Sequence, residues 1–129
     1  MKILDSDHCI AILRERINLQ NRLLSTEELA ITSISIGELT HGAYKSTNPA
    51  RNLARLDVLL AALTPLPFDH QAAHRFGQLK AELERKGLRL DDLDLQIASV
   101  ALQYDAPLVS HNYSHFSRIP HLLLEDWLT

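Results

Sequence analysis

The chain has 129 residues, enough for one domain spanning 1–129 whose core needs no covalent staples, and its 46% hydrophobic and 22% charged content is that of an ordinary soluble globular protein. A single cysteine, Cys9, excludes an intrachain disulfide and suits a reducing compartment. The formal net charge of -3 lacks the basicity usual in nucleic-acid binders, so a nucleic acid would have to be met by a local basic surface or through cations.

In chain order, Ile3-Leu4 reads as the end of a first short strand, followed by a helix over about Asp7 to Arg14 and a second helical pattern over about Ile17 to Leu24. Leu29 to Thr32 reads as the second strand, and Ser33 or Ser35 is placed to cap a helix reaching Lys45. Asn48-Pro49 starts another helix, in which Leu53, Leu56, Leu60 and Leu63 form an apolar stripe. Pro65 to Phe68 is a short extended segment placed at a sheet edge, because proline lacks a ladder donor. Asp69 caps a long helix ending at Gly87, and Asp91 or Asp92 caps another that reaches about Gln103. Pro107 to Val109 and Leu122 to Leu124 read as the last strands. Short apolar runs alternating with helical patterns predict an α/β fold, doubly wound, with four or five short parallel strands. In such a sheet ligands gather beyond the carboxyl ends of the strands. No apolar run approaches the ~18 residues of a membrane span. An aspartate at position 5 is out of place in a signal-peptide core, so the expected location is the cytoplasm, away from membranes.

Four polar residues fall where strands end or helices begin. Asp5 follows the first strand; it is either a site acid or a turn acid, with Asp7 the better placed of the two for a helix cap. Asp94 shares a helix face with Ile97, Ala98 and Ala101, so a carboxylate heads a core-facing stripe and needs a partner such as a metal ion, or else serves the helix start. Glu38 in Ser35-Ile36-Gly37-Glu38 fits a capping box as well as a site, and Gly37 in a first turn would allow close approach by a strand or ligand. Asn112 follows the Leu108-Val109 strand and would otherwise be a left-handed turn residue. Three acids and an amide, with water completing an octahedron, describe a Mg²⁺ or Mn²⁺ site suited to attack of water on a phosphodiester.

These motifs resemble the PIN-domain family, and within it the VapC-type toxins. Ile3-Leu4-Asp5-Ser6-Asp7 is similar to the family's first motif, Ile34 to Leu39 with Gly42 to its second, and Asp94-Leu95-Gln96-Ile97-Ala98 to its third. Leu108 to Asn112, with Phe116 and Arg118-Ile119-Pro120, resembles its last motif, and Leu124 to Trp127 its closing segment. The resemblance implies a three-layer α/β/α fold with a mostly parallel sheet and a Mg²⁺- or Mn²⁺-dependent ribonuclease acting on tRNA or another structured RNA. It implies catalytic residues Asp5, Glu38, Asp94 and Asn112, with Asp5 and Asp94 as metal ligands. It also implies a homodimer and a small antitoxin whose tail covers the acidic pocket. Many members have a further acid where this chain has Asn112, and sometimes another at the position of His115; a neutral amide contributes less charge, which leaves one metal or two open.

Other features point less far. His70 and His74 have zinc-ligand spacing but neither an adjacent glutamate nor a third ligand. Cys9 among Ile10, Ile12 and Leu13 reads as a packed thiol, and Trp127 as an anchor for the C-terminal segment. Arg14, Lys45, Arg51, Arg55, Arg85, Lys86, Arg89 and Arg118 are the candidate phosphate contacts, Lys45 and Arg118 foremost because each closely follows a motif. Two rival readings are a haloacid-dehalogenase-like phosphatase, with Asp5-Ser6-Asp7 as its nucleophile motif, and a degenerate PIN domain that binds without cutting.

Overall fold

In the computed structural model the described residues are 1–17 and 27–128. They form β1 (Lys2–Leu4), α1 (Ser6–Leu13), β2 (Leu29–Thr32), α2 (Ser33–Lys45), α3 (Pro49–Ala61), β3 (Thr64–Leu66), α4 (His70–Arg85), α5 (Asp92–Gln103), β4 (Leu108–Val109), α6 (Tyr113–Phe116) and β5 (Leu124–Glu125). The second helical pattern expected over Ile17 to Leu24 lies almost wholly outside the described residues. The helix α6 was not legible, being a single turn.

All strands run parallel in the order β3-β2-β1-β4-β5. β3, with Pro65, is the edge strand that its proline requires. The last strand forms at Leu124–Glu125, two residues later than its leucines suggest, because Leu124 and Glu125 pair with Leu108 and Val109. The chain winds from β1 outward through β2 to β3, then returns to place β4 on the other side of β1. The switch point therefore falls between β1 and β4.

Alternation along the short strands divides the interior in two. Ile3, Ala30, Leu66 and Leu108 face a core completed by Leu79 and Leu83 of α4, Leu95 to Ala101 of α5, and Phe116. Leu4, Leu29, Ile31 and Val109 face the other core, with Cys9 of α1, Leu39 of α2, Leu56 and Leu59 of α3, and Trp127. Helices thus cover both faces of the sheet, giving the three layers expected. In α3 the buried stripe is Leu56 and Leu59, continued by Leu63, while Leu60 is only partly covered.

The caps correct several expectations. Asp5, not Asp7, caps α1, its Oδ1 accepting from the His8 N–H at 2.9 Å. Thr32, rather than Ser33 or Ser35, caps α2; it is fully buried and accepts from the Ser35 N–H at 3.2 Å. Asp91 caps α5 through the Leu93 N–H, and Asp69 caps α4 through the Ala72 N–H. α4 closes at Gly87, whose φ of 70° permits the Leu88 N–H to return to the Leu83 carbonyl at 2.9 Å. No described helix is long and apolar enough to cross a membrane.

Candidate active site

β1 ends at Leu4, so Asp5 emerges at the switch point, where its N–H donates to the Val109 carbonyl of β4 at 3.1 Å. It is 8% exposed, and its capping role and its place in the site coexist on one side chain. Oδ1 takes the His8 N–H, and His8 Nδ1 also lies 2.9 Å from it. Ser6, the next residue, donates its hydroxyl to Glu38 Oε1 at 3.0 Å, which ties the end of β1 to the first turns of α2.

That bond, with the Thr32 cap, removes the capping reading of Glu38. A capping box would send the glutamate back to its own helix start, but the cap is Thr32 and the carboxylate turns to Ser6 instead. Burial raises its pKa, the Ser6 hydroxyl opposes this, and the carboxylates of Asp94, Asp91 and Asp7 raise it again. A Cβ built on Gly37 would meet nothing within 4 Å, so no close packing requires that glycine.

Asp94, on the first turn of α5, is three-quarters covered, and its Oδ2 stands 3.5 Å from His115 Nδ1. Its pKa is also raised, first by burial; the His115 hydrogen bond opposes this, Asp91 raises it, His115's charge lowers it, and Asp5 raises it. Asp94 is thus close enough to feel Asp5, and Glu38 close enough to feel Asp94. Asp94 on α5 is coupled both to Asp5, just past β1, and to Glu38 of α2, and repulsion between carboxylates is the electrostatic condition a bound cation relieves.

Asn112 follows β4 with φ -82° and ψ 56°, so it is not the left-handed turn residue considered from sequence. Its N–H donates to Ser110 Oγ at 3.0 Å, and its side-chain nitrogen is 2.9 Å from His115 Nδ1. His115 Nδ1 thus lies near both Asn112 and Asp94, and as a single nitrogen it serves one of them at a time. Neither His115 nor His8 was singled out as a site residue from sequence. The signal for His8 was a histidine three residues after Asp5 on a helix otherwise lined by core residues.

Among the described residues, no group of three or more His, Cys, Asp or Glu side chains is arranged to hold a metal ion. The donor chemistry fits a hard cation nonetheless. Every carboxylate is an oxygen donor, and Mg²⁺ and ions like it take only one or two carboxylates while keeping several waters. The zinc alternative fails this fit: His70 and His74 stack edge to face at 4.7 Å on the exposed side of α4, with no third ligand among the described residues.

A groove of about 510 Å³ starts at Ser6 and Glu38 and runs between α1, α2 and α3. Its floor includes Ile10, Leu39 and Leu56, and its lining carries two cations, Arg14 and Arg55. Arg55 is held in place by a hydrogen bond to the Leu13 carbonyl. Lys45 and Arg118, the foremost phosphate contacts from sequence, are exposed but are not among the groove's lining residues. Lys45 closes the last turn of α2, roughly 10 Å along the axis from Glu38. Cys9 is fully buried and its thiol pKa is pushed up to about 12, first by burial and then by Asp5, so it remains a neutral packing group. Trp127 is buried where an anchor would be, edge to face with His8 at 6.2 Å.

The fold and the order of these motifs define a class. The PIN domain model matches residues 2–122, and the chain belongs to the PIN-domain family, whose nucleases depend on a divalent metal. It is 36% identical to Ribonuclease VapC2 of Rickettsia felis, covering 97% of this chain and 96% of that one. It is 39% identical to the tRNA(fMet)-specific endonuclease VapC of Salmonella typhimurium, again over 97% and 96%. Its fold superposes on that of DNA-bound VapBC from Salmonella typhimurium with a TM-score of 0.91 at 38% identity, covering 98% of this chain and 97% of that one. Membership in this family leaves the dehalogenase-like phosphatase without support, and Asp7, its second motif acid, points to solvent as an exposed residue.

Proposed function

We propose that this chain is the toxin of a toxin–antitoxin pair, a cytoplasmic single-domain endoribonuclease that hydrolyses RNA with Mg²⁺ or Mn²⁺. The observation that supports it most is the coupling of Asp94 to Asp5 and of Glu38 to Asp94, in a chain so similar to named ribonucleases. The relative named for tRNA(fMet) makes tRNA the first substrate to try.

Asp5 and Asp94 would hold the ion, and Glu38 would complete the acidic cluster. When bound, the ion supplies charge for the phosphodiester and activation of the attacking water. Glu38, its pKa raised and its Oε1 held by Ser6, would orient the attacking water and accept its proton. Asn112, held by Ser110 and His115, adds a neutral oxygen or amide hydrogen bond at the rim. Arg14 and Arg55 in the groove, with Lys45 and Arg118 outside it, would contact RNA phosphates.

The groove's apolar floor, acidic head and two arginines also suit a peptide, and the antitoxin tail would lie there and cover the carboxylates. The chain would act as a homodimer, using apolar surface such as Val58, which is 75% exposed on α3. The test is cleavage of RNA by the purified, antitoxin-free chain with Mg²⁺ or Mn²⁺. Discrete products that vanish with EDTA and in Asp94→Asn are expected. A folded, metal-supplied chain that cuts nothing favours the degenerate binding module.

A further inference from the structure

His8 occupies the first turn of α1 and is fully buried, yet both of its ring nitrogens have partners. Nδ1 is 2.9 Å from Asp5 Oδ1, and Nε2 accepts the backbone N–H of Trp127, 119 residues away, at 3.1 Å. A backbone amide can only donate, so Nε2 must present its lone pair to Trp127. On the neutral ring the proton is then on Nδ1 and is donated to Asp5. Asp126 Oδ1, at 3.6 Å from Nε2, is too far to make the competing hydrogen bond, and its other oxygen is engaged by His111 Nδ1 at 2.7 Å.

The same Asp5 oxygen receives the backbone N–H of His8 at 2.9 Å. Oδ1 is therefore filled by two donors of one residue, and the carboxylate's rotation is fixed. Oδ2 takes no hydrogen bond among the described residues. Packing alone does not call for this arrangement, because the neighbouring buried positions Cys9 and Ala11 are filled by side chains that make no such pair.

From this we infer that His8 is a positioning residue for Asp5: its Nδ1–H holds Oδ1 so that Oδ2 is presented to the ion, and the C-terminal segment at Trp127 selects the tautomer that does so. The inference rests on the reading of Asp5 as a metal ligand. Partners of this kind fix the orientation and basicity of ligating side chains, and their loss typically weakens metal binding about 10–100-fold. It also gives the last residues of the chain a role in a site built at its beginning.

Two substitutions separate the ring's arms. His8→Asn places an amide nitrogen near the position of Nδ1, keeping the donor to Asp5 and losing the acceptor for Trp127. His8→Gln reaches the position of Nε2, keeping the acceptor and losing the donor. Mn²⁺ binding to the full metal-free chain is measured by calorimetry, beside thermal melting and an Asp5→Asn control. The expected pattern is crossed: His8→Asn melts lower but binds Mn²⁺ nearly as the unsubstituted chain does, whereas His8→Gln holds its melting temperature better and binds about 10–100-fold more weakly. Mn²⁺ affinity that follows stability in both variants, or that survives in His8→Gln, overturns the inference. Asp5→Asn that leaves Mn²⁺ binding intact overturns the metal-site reading as well. Loss in Asp5→Asn with none in His8→Gln overturns the role of His8 alone. Should either variant fail to fold, nitrogen NMR of the unsubstituted chain decides, because a His8 ring protonated on Nε2 rather than Nδ1 contradicts it.

Discussion

Asp94 bears both on stability and on the proposed chemistry. Its carboxylate is partly buried, and burial first, with the charges of Asp91 and Asp5, raises its pKa. An acid whose folded pKa lies above its unfolded one binds more protons in the folded state. The metal-free fold therefore loses stability as pH climbs from the ordinary carboxylate range through the raised values of Asp94 and Glu38. A metal ion should offset that loss, and most fully above the window. Melting of the metal-free chain between acid and neutral pH, with and without Mg²⁺, checks this; a Mg²⁺ effect equal at all pH values would contradict it. Asp94→Asn should likewise raise the metal-free melting temperature, because it removes the partly buried charge that burial and Asp91 disfavour. The same change should reduce cleavage at least 100-fold or so, since even indirect partners of a ligand cost about that much. Among the four candidate residues, the positions of Asp5, after a strand, and Asp94, heading an apolar stripe, were legible in the sequence, while their roles stayed open between the site and a turn or helix start. Glu38 stayed open in the same way, because a capping box and a site share one pattern, and the bond to Ser6, with the Thr32 cap, removes the first.

Elements carry the site through their caps. Thr32 ends β2, starts α2 and is wholly buried, so it fixes the path by which Glu38 reaches Ser6. Thr32→Ala should cost about 1–2 kcal/mol in urea unfolding, as loss of a good N-cap does. Gly37 has the opposite sign. It is in a helix, with φ outside the range that demands glycine and nothing near the missing Cβ, so Gly37→Ala should stabilise by about 0.5–1 kcal/mol. A destabilised Gly37→Ala chain would show that α2 is held differently. The helices and strands themselves were legible because periodicity and proline survive in the sequence. The caps were less so: Asp5 and Thr32 were displaced by neighbours of equal chemistry, and which of two adjacent polar residues caps a helix depends on where the preceding strand stops. The start of β5 depended on register with β4, which no local pattern encodes.

At the scale of the whole molecule, a chain of net charge -3 needs a local basic surface for the proposed RNA binding, and Arg14 and Arg55 of the groove are the candidates. Arg14→Ala and Arg55→Ala should each weaken single-stranded RNA binding and flatten its logarithmic salt dependence by about 0.7 per contact removed. The same measurement on Lys45→Ala and Arg118→Ala tells whether RNA extends beyond the groove. The parallel, doubly wound sheet was legible as a whole because alternating strand and helix patterns permit few other architectures. The convergence of α1, α2 and α3 on one groove was not, since it depends on packing between distant segments. The central claim is that this PIN domain cuts RNA with a divalent metal held by its carboxylates. It is tested most directly by incubating the purified chain with total cellular RNA and Mg²⁺ or Mn²⁺, beside EDTA and Asp94→Asn controls. Discrete cleavage that requires both the metal and Asp94 is the predicted result; a folded chain that leaves RNA intact with either metal would contradict it.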